Sequence, residues 1–144
     1  MFLVWDDAFN TGVEVIDHQH RRLVQLINAL YGAKVNHDAG GVADVMDQLV
    51  EYTVGHFAYE EHLLEQHDFA DLEGHKAGHD RFRDRLHQFR ERMLAGEDIA
   101  DELLGELKLW LTRHIQSDDF AYVKTLPADA GGGKLRKMFS HLFD

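Results

Sequence analysis

Five histidines and two carboxylates follow one another along this chain in a set order: His20, then His56 and Glu60, then His75 and His79, then His114 and Asp119. Imidazole suits iron, copper, zinc and nickel, and a carboxylate can bridge two hard cations, so a mixed set of this kind points to a transition-metal pair. Two octahedral iron ions sharing Glu60, Asp119 and one solvent-derived oxygen as bridges would use every one of these side chains and keep one coordination position open. A metal pair with one vacancy can bind a small molecule.

No piece of the set is specific alone. With 11 histidines in 144 residues, a pair of them four apart arises by chance, and a lone pair is more often a surface or core feature than a metal site. Asp84 with His87 is such a decoy, lying among Arg81, Arg83 and Arg85 on a solvated face. The ordered set is different because its members replace apolar residues on helix stripes. Val42, Val45, Met46, Leu49 and Thr53 lead at steps of three and four into His56, Glu60, Leu63 and His67. His75, His79, Phe82, Leu86, Phe89 and Met93 trace the seam of a bundle helix, and Leu103, Leu107, Trp110 and His114 repeat the pattern. Three separate helices thus turn metal-binding side chains inward, where imidazoles without partners would be costly.

The chain resembles the hemerythrin family, and most closely its bacterial single-domain members. The resemblance rests on Trp5, Gly12, Ile16-Asp17-His18-Gln19-His20, His56-Phe57-Ala58-Tyr59-Glu60-Glu61, the His75/His79 pair, and Trp110-Leu111 with His114, Ile115, Asp119 and Tyr122. It implies a non-haem di-iron site with oxo or hydroxo and carboxylate bridges that binds dioxygen reversibly for carriage, storage, delivery or sensing, without being an enzyme. By that resemblance His75, His79 and His114 complete one iron, His20 and His56 hold the iron that keeps the vacancy, and Glu60 and Asp119 are the bridges. Leu23, Phe57, Trp110, Leu111 and Ile115 match the family's apolar dioxygen pocket, which protects reduced iron from water and anions. Tyr122 is expected to hydrogen-bond a bridging carboxylate. The choice of Asp119 over Asp118 carries a geometric demand. On an ideal α-helix a five-residue step turns about 140° beyond one full turn, so a local irregularity, such as a π-bulge or a bend, is expected near His114.

Competing chemistries find less support. Carboxylate-rich di-iron enzymes carry Glu-x-x-His pairs, and this sequence has none; it also lacks the His-Glu-x-x-His of zinc hydrolases. A signalling module for dioxygen or nitric oxide, or one that repairs iron centres, remains an alternative reading. The net charge of −11 argues against a nucleic-acid partner, and zero cysteines exclude disulfides, iron–sulfur ligation and a thiol nucleophile. No signal peptide or membrane-spanning run is evident, so a cytoplasmic monomer is expected.

The elements that must position these residues form an all-α, up-down-up-down four-helix bundle with an amino-terminal arm and a short carboxy-terminal amphipathic helix. Residues 1–12 are the arm, with Phe2, Trp5 and Phe9 lying against the bundle. Helices are expected from Glu14 to Val35, from after the Asn36–Gly41 turn to about His67, from near Leu72 to Ala95, and from about Ile99 to Val123, with Pro127 just beyond. The remaining histidines, His18, His37, His62, His67, His87 and His141, are read as structural or solvent-facing.

Residues 1–126 make the di-iron bundle and 127–144 a tail hinged at Gly131–Gly133. In that tail Leu135, Met138, Phe139, Leu142 and Phe143 share one helical face, and Lys134, Arg136 and Lys137 make its start basic. Residues 134–144 either pack back on the bundle or dock on a membrane or a protein partner. Truncation after Ala130 is expected to lower the melting temperature without altering association, as self-packing requires. Loss of membrane or partner association at unchanged melting would assign the tail to docking.

Overall fold

The computed structural model describes residues 2–115, and the fold within them is four helices preceded by an arm: α1 (Glu14–Val35), α2 (Ala39–Gln66), α3 (Leu72–Leu94) and α4 (Ala100–Arg113). Short connections force each helix to run antiparallel to the one before it, which gives the up-down-up-down order expected. Asp119, Tyr122, Pro127, the boundary at residue 126 and the tail lie outside the described residues.

The stripes predicted from periodicity are the faces that close. Val13, Ile16, His20, Leu23, Ile27 and Leu30 are all buried, as are Met46, Leu49, Thr53, His56, Glu60 and Leu63 on α2 and Phe82, Leu86 and Phe89 on α3. The core falls into two apolar clusters. The larger includes Ile27, Met46, Leu49, Leu86, Phe89, Leu103 and Leu107, and the smaller gathers Val13, Ile16, Tyr59, Leu63 and Leu64.

One helix boundary differs from expectation. The turn read over Asn36–Gly41 ends sooner, because α2 begins at Ala39. Asp38 caps the helix, its carboxylate accepting from the Gly41 backbone N–H at 3.0 Å. A Cβ on Gly41 would stand 2.4 Å from the same carboxylate, so the glycine that looked like a turn signal instead makes room for the cap.

The arm is fastened as well as packed. The Leu3 N–H donates to Asn28 Oδ1 at 2.8 Å and Asn28 Nδ2 donates to the Leu3 carbonyl at 2.7 Å, so an α1 side chain pairs with the arm as a strand would. Phe2 stacks on Tyr31, and Arg21 lies over the Trp5 ring. Buried Asp17 then fixes the turn into α1, accepting from Thr11 N–H and Oγ1 at 2.8 Å each and from Gly12 N–H at 3.2 Å. Gly12 has φ +89, a conformation that other residues resist. Removing the carboxylate strands those donors, so Asp17→Ala is expected to cost about 2 kcal/mol of stability. Denaturant unfolding measures that loss, and limited proteolysis reports the loosened arm.

Candidate metal centre

Each helix contributes one turn of polar residues at the same height in the bundle. His20 comes from α1, His56 and Glu60 from one α2 stripe, His75 and His79 from α3, and His114 from the end of α4. His20, His56, Glu60, His79 and His114 are buried, and His75 is partly so. The six histidines and carboxylates of the predicted set that are described therefore meet. His37, His62, His67 and His87 are exposed and His18 is partly so.

Glu60 is the centre of the arrangement. Its Oε1 lies 3.1 Å from His56 Nε2, 3.0 Å from His114 Nε2 and 3.3 Å from His79 Nε2. Two groups of potential ligand atoms share it. His20, His56, Glu60 and His114 offer atoms all within 4.8 Å of one another, and Glu60, His75 and His79 do the same. A carboxylate common to two such groups has the position of a bridge between two cations. His114 stands between the groups, its ring 5.5 Å from both His20 and His56 and 5.4 Å from His79.

Neighbouring side chains fix which imidazole nitrogen faces inward. His56 Nδ1 lies 2.6 Å from Gln19 Oε1, an oxygen that can only accept, so the ring proton sits on Nδ1. His56 Nε2 then presents a lone pair to a carboxylate oxygen 3.1 Å away and to another imidazole nitrogen, His114 Nε2, 3.3 Å away. His79 repeats the pattern, with Nδ1 3.3 Å from Glu61 Oε2 and Nε2 turned to Glu60. Outer partners that orient ligand imidazoles in this way are a general feature of metal sites.

The electrostatics make the same demand. Burial drives His20 from its ordinary 6.5 down to about 3, with His114 adding to the shift and Glu60 and Asp17 opposing it. Burial lowers His56 too, against the pull of Glu60. For Glu60 burial alone would push the carboxyl up, yet His56 and His114 hold it well below the usual carboxylate range. An ionised Glu60 needs positive charge around it, and burial denies that charge to His20 and His56 as imidazolium. A divalent cation seated among neutral imidazoles satisfies both conditions. The donor set thus fits a pair of metal ions, with nitrogen and carboxylate ligands of the type iron accepts.

Comparison with known proteins agrees with this geometry. The model of the hemerythrin HHE cation binding domain matches residues 11–126. The chain belongs to the hemerythrin family. It is 46% identical over 121 residues to a bacteriohemerythrin of Pseudomonas paraeruginosa, covering 84% of this chain and 79% of that one. A hemerythrin-like protein of Naegleria gruberi is 30% identical over 118 residues, covering 82% of this chain and 88% of that one. Among solved structures, a leucine-to-tyrosine mutant of hemerythrin superposes with a TM-score of 0.81 at 26% identity, over 85% of this chain and 95% of its own.

The apolar residues singled out with the ligands divide. Leu23, Phe57, Leu111 and Ile115 are buried, and Phe57 lies face to face on His79 at 3.9 Å. Trp110 is only partly buried, stacked on His114 at 4.7 Å and on Phe82 at 3.9 Å, with an edge in an open cleft between α3 and α4. Sequence reasoning missed the roles of Gln19 and Glu61. A polar residue three after Ile16 and four before Leu23, on a buried stripe, was the available signal for Gln19; Glu61 gave none.

Gln19→Leu removes the acceptor that sets the His56 tautomer while keeping an uncharged side chain of similar size. Iron affinity is expected to fall roughly 10–100-fold with the bundle still folded. Equilibrium iron binding against a competing chelator is the measurement, with helical circular dichroism as control, and unchanged affinity would show that Gln19 does not orient His56.

Proposed function

We propose that this protein binds dioxygen reversibly at a pair of iron ions and serves in oxygen carriage, storage, delivery or sensing rather than as an oxidising enzyme. The observation that carries the reading is the shared Glu60 carboxylate, placed within reach of two groups of imidazoles in a buried polar layer between two apolar clusters. His20, His56, Glu60, His75, His79 and His114 would hold the metals, together with Asp119. When bound, the iron pair would supply the electrons and the open coordination position that dioxygen requires.

The chain's own residues do the rest. Gln19 and Glu61 keep the Nδ1 protons of His56 and His79 turned outward, so that both Nε2 lone pairs face the centre. Leu23, Phe57, Leu111 and Ile115 are buried and bring no polar side chain, which limits water on the buried side and withholds the proton donors that favour cleavage of the oxygen–oxygen bond. The preponderance of neutral imidazole over carboxylate gives less stabilisation to high-valent iron, which favours binding over oxidation chemistry. The names of the bacteriohemerythrin relatives support the same class.

The test is direct. Protein expressed with iron is expected to carry two irons per chain, and the anaerobically reduced form is expected to change its absorption when air is admitted and to recover it under argon. One zinc and no iron, or a change that argon never reverses, would overturn the reading.

A further inference from the structure

The ends of α1 and α3 and the starts of α2 and α4 meet at the end of the bundle away from the ligand layer. His20 and Lys34 mark the separation, about 20 Å apart along α1. A groove of about 800 Å³ opens at this end. Its floor is Val42, Met93 and Ile99, which continue the larger apolar cluster, and Ala39 and Ala43, one turn apart on α2, keep one wall low. Leu94 stands beside them 75% exposed, more than any other large apolar side chain among the described residues. The edge is acidic. Asp38, Glu97, Asp98 and Asp101 line it, and Lys34 is the one lysine or arginine on the lining among the described residues. Lys34 is held by Asp101 and Glu97 by Arg92, each at 2.7 Å, whereas Asp38 and Asp98 make no ion pair among the described residues.

We propose that this groove is the seat of the chain's own carboxy-terminal segment, residues 134–144, laid down by its apolar face with its basic start against the acidic edge. The inference is independent of the di-iron reading. By period, Leu135, Met138, Phe139, Leu142 and Phe143 share one face of the segment, and Lys134, Arg136 and Lys137 bring positive charge to its start. Burial of that face offsets the cost of ordering a helix too short to be stable alone. Charge chooses between this groove and the cleft between α3 and α4. The cleft carries Arg81, Arg85 and Arg113 and repels a basic segment, whereas the four carboxylates at the far end attract one.

The length of chain after Ile115 is sufficient for the return. Residues 116–133 extend to roughly 60 Å, against about 22 Å along α4 from Ile115 back to Ala100. With α4 carried on to Val123, as its period predicts, an extended 124–133 and the helix after it reach roughly 50 Å against a return of about 35 Å. Tethering favours this segment over the same segment of a second copy, because a short flexible linker holds an effective concentration in the millimolar range. The acidic edge likewise turns the groove away from an anionic membrane surface. Seated there, the segment covers Leu94 and the open floor, which a chain in water gains by hiding.

The chain has no cysteine, so a pair introduced into the full-length, iron-loaded protein reports one proximity without background. Leu94→Cys/Met138→Cys is treated with a short bis-maleimide and read by denaturing gel and intact mass. The expected result is a link within one chain, formed at least about tenfold faster than in Arg81→Cys/Met138→Cys, which samples the basic cleft. Adding Lys134→Glu/Arg136→Glu/Lys137→Glu to the groove pair should slow the link about tenfold. Both cysteine pairs should keep the parent's iron content. Equal rates in the two pairs, or an unchanged rate after charge reversal, overturn the assignment. Links formed chiefly between two chains overturn it in favour of a second copy's segment. The final arm repeats the reaction with phosphatidylserine vesicles. An unchanged rate supports the groove, and loss of the link with the protein pelleting on the vesicles overturns it in favour of a membrane. Proximity is read as a covalent link, so the outcome does not depend on whether the chain takes up dioxygen.

Discussion

An ionised carboxylate at the centre of a helical bundle is the constraint on which this structure turns. Glu60 is fully buried, and three imidazole nitrogens from three different helices lie within 3.3 Å of one of its oxygens. Neutral imidazole nitrogens that present lone pairs cannot stabilise that oxygen by themselves, because acceptors would then face an acceptor. Cationic charge is required between them. Burial resists placing it on the rings as protons, and metal ions supply it without protonating any ligand. The inward set of His20, His56, His79 and His114 is thus arranged as a receptor for cations.

The placement of the layer limits what it costs the fold. Polar ligands occupy a band between the smaller cluster around Ile16, Tyr59 and Leu63 and the larger one around Met46, Leu49, Leu86 and Leu103. Apolar packing of all four helices in the larger cluster, and of α1 with α2 in the smaller, holds the scaffold in register, so the ligands converge on positions fixed by other residues. Gln19 and Glu61 add the finer orientation, each holding one imidazole from outside. The exposed pairs Lys34–Asp101, Arg90–Asp47 and Arg92–Glu102 tie neighbouring helices at the surface, where such bridges contribute little in stability.

Much of this was legible in the sequence because a bundle helix announces itself by period. The bounds of α1 are those read from its stripe, and the ligands on α2 and α3 were visible as polar residues standing where apolar ones belonged. What escaped was governed by local chemistry that period does not encode. Gly40 and Gly41 read as a turn, whereas the Asp38 cap makes glycine an asset in the first turn of α2. Glu61 was given no role of its own, since nothing in sequence reports that His79 approaches it from another helix. Arg81 and Arg85 likewise read as a solvated face, and only the opening between α3 and α4 turns them into the rim of a cleft.

The winding of the last described turn bears on how one helix can serve two roles. The backbone is α-helical through Arg113 and passes to π winding at His114 and Ile115. A π turn closes hydrogen bonds over five residues rather than four, which widens the helix by about one residue and brings side chains five apart towards a common face. His114 and Asp119 are five apart in the sequence. A regular helix would favour Asp118 as the partner of His114, and an irregularity beginning at His114 is what the alternative spacing requires. The same change of winding occurs beside Trp110, the ring that joins the buried imidazole to the open cleft. Among the described residues, departure from α geometry at the end of α4 falls where the chain must face both the metal layer and the surface, while the packed turns before it, from Leu103 to Leu107, remain regular.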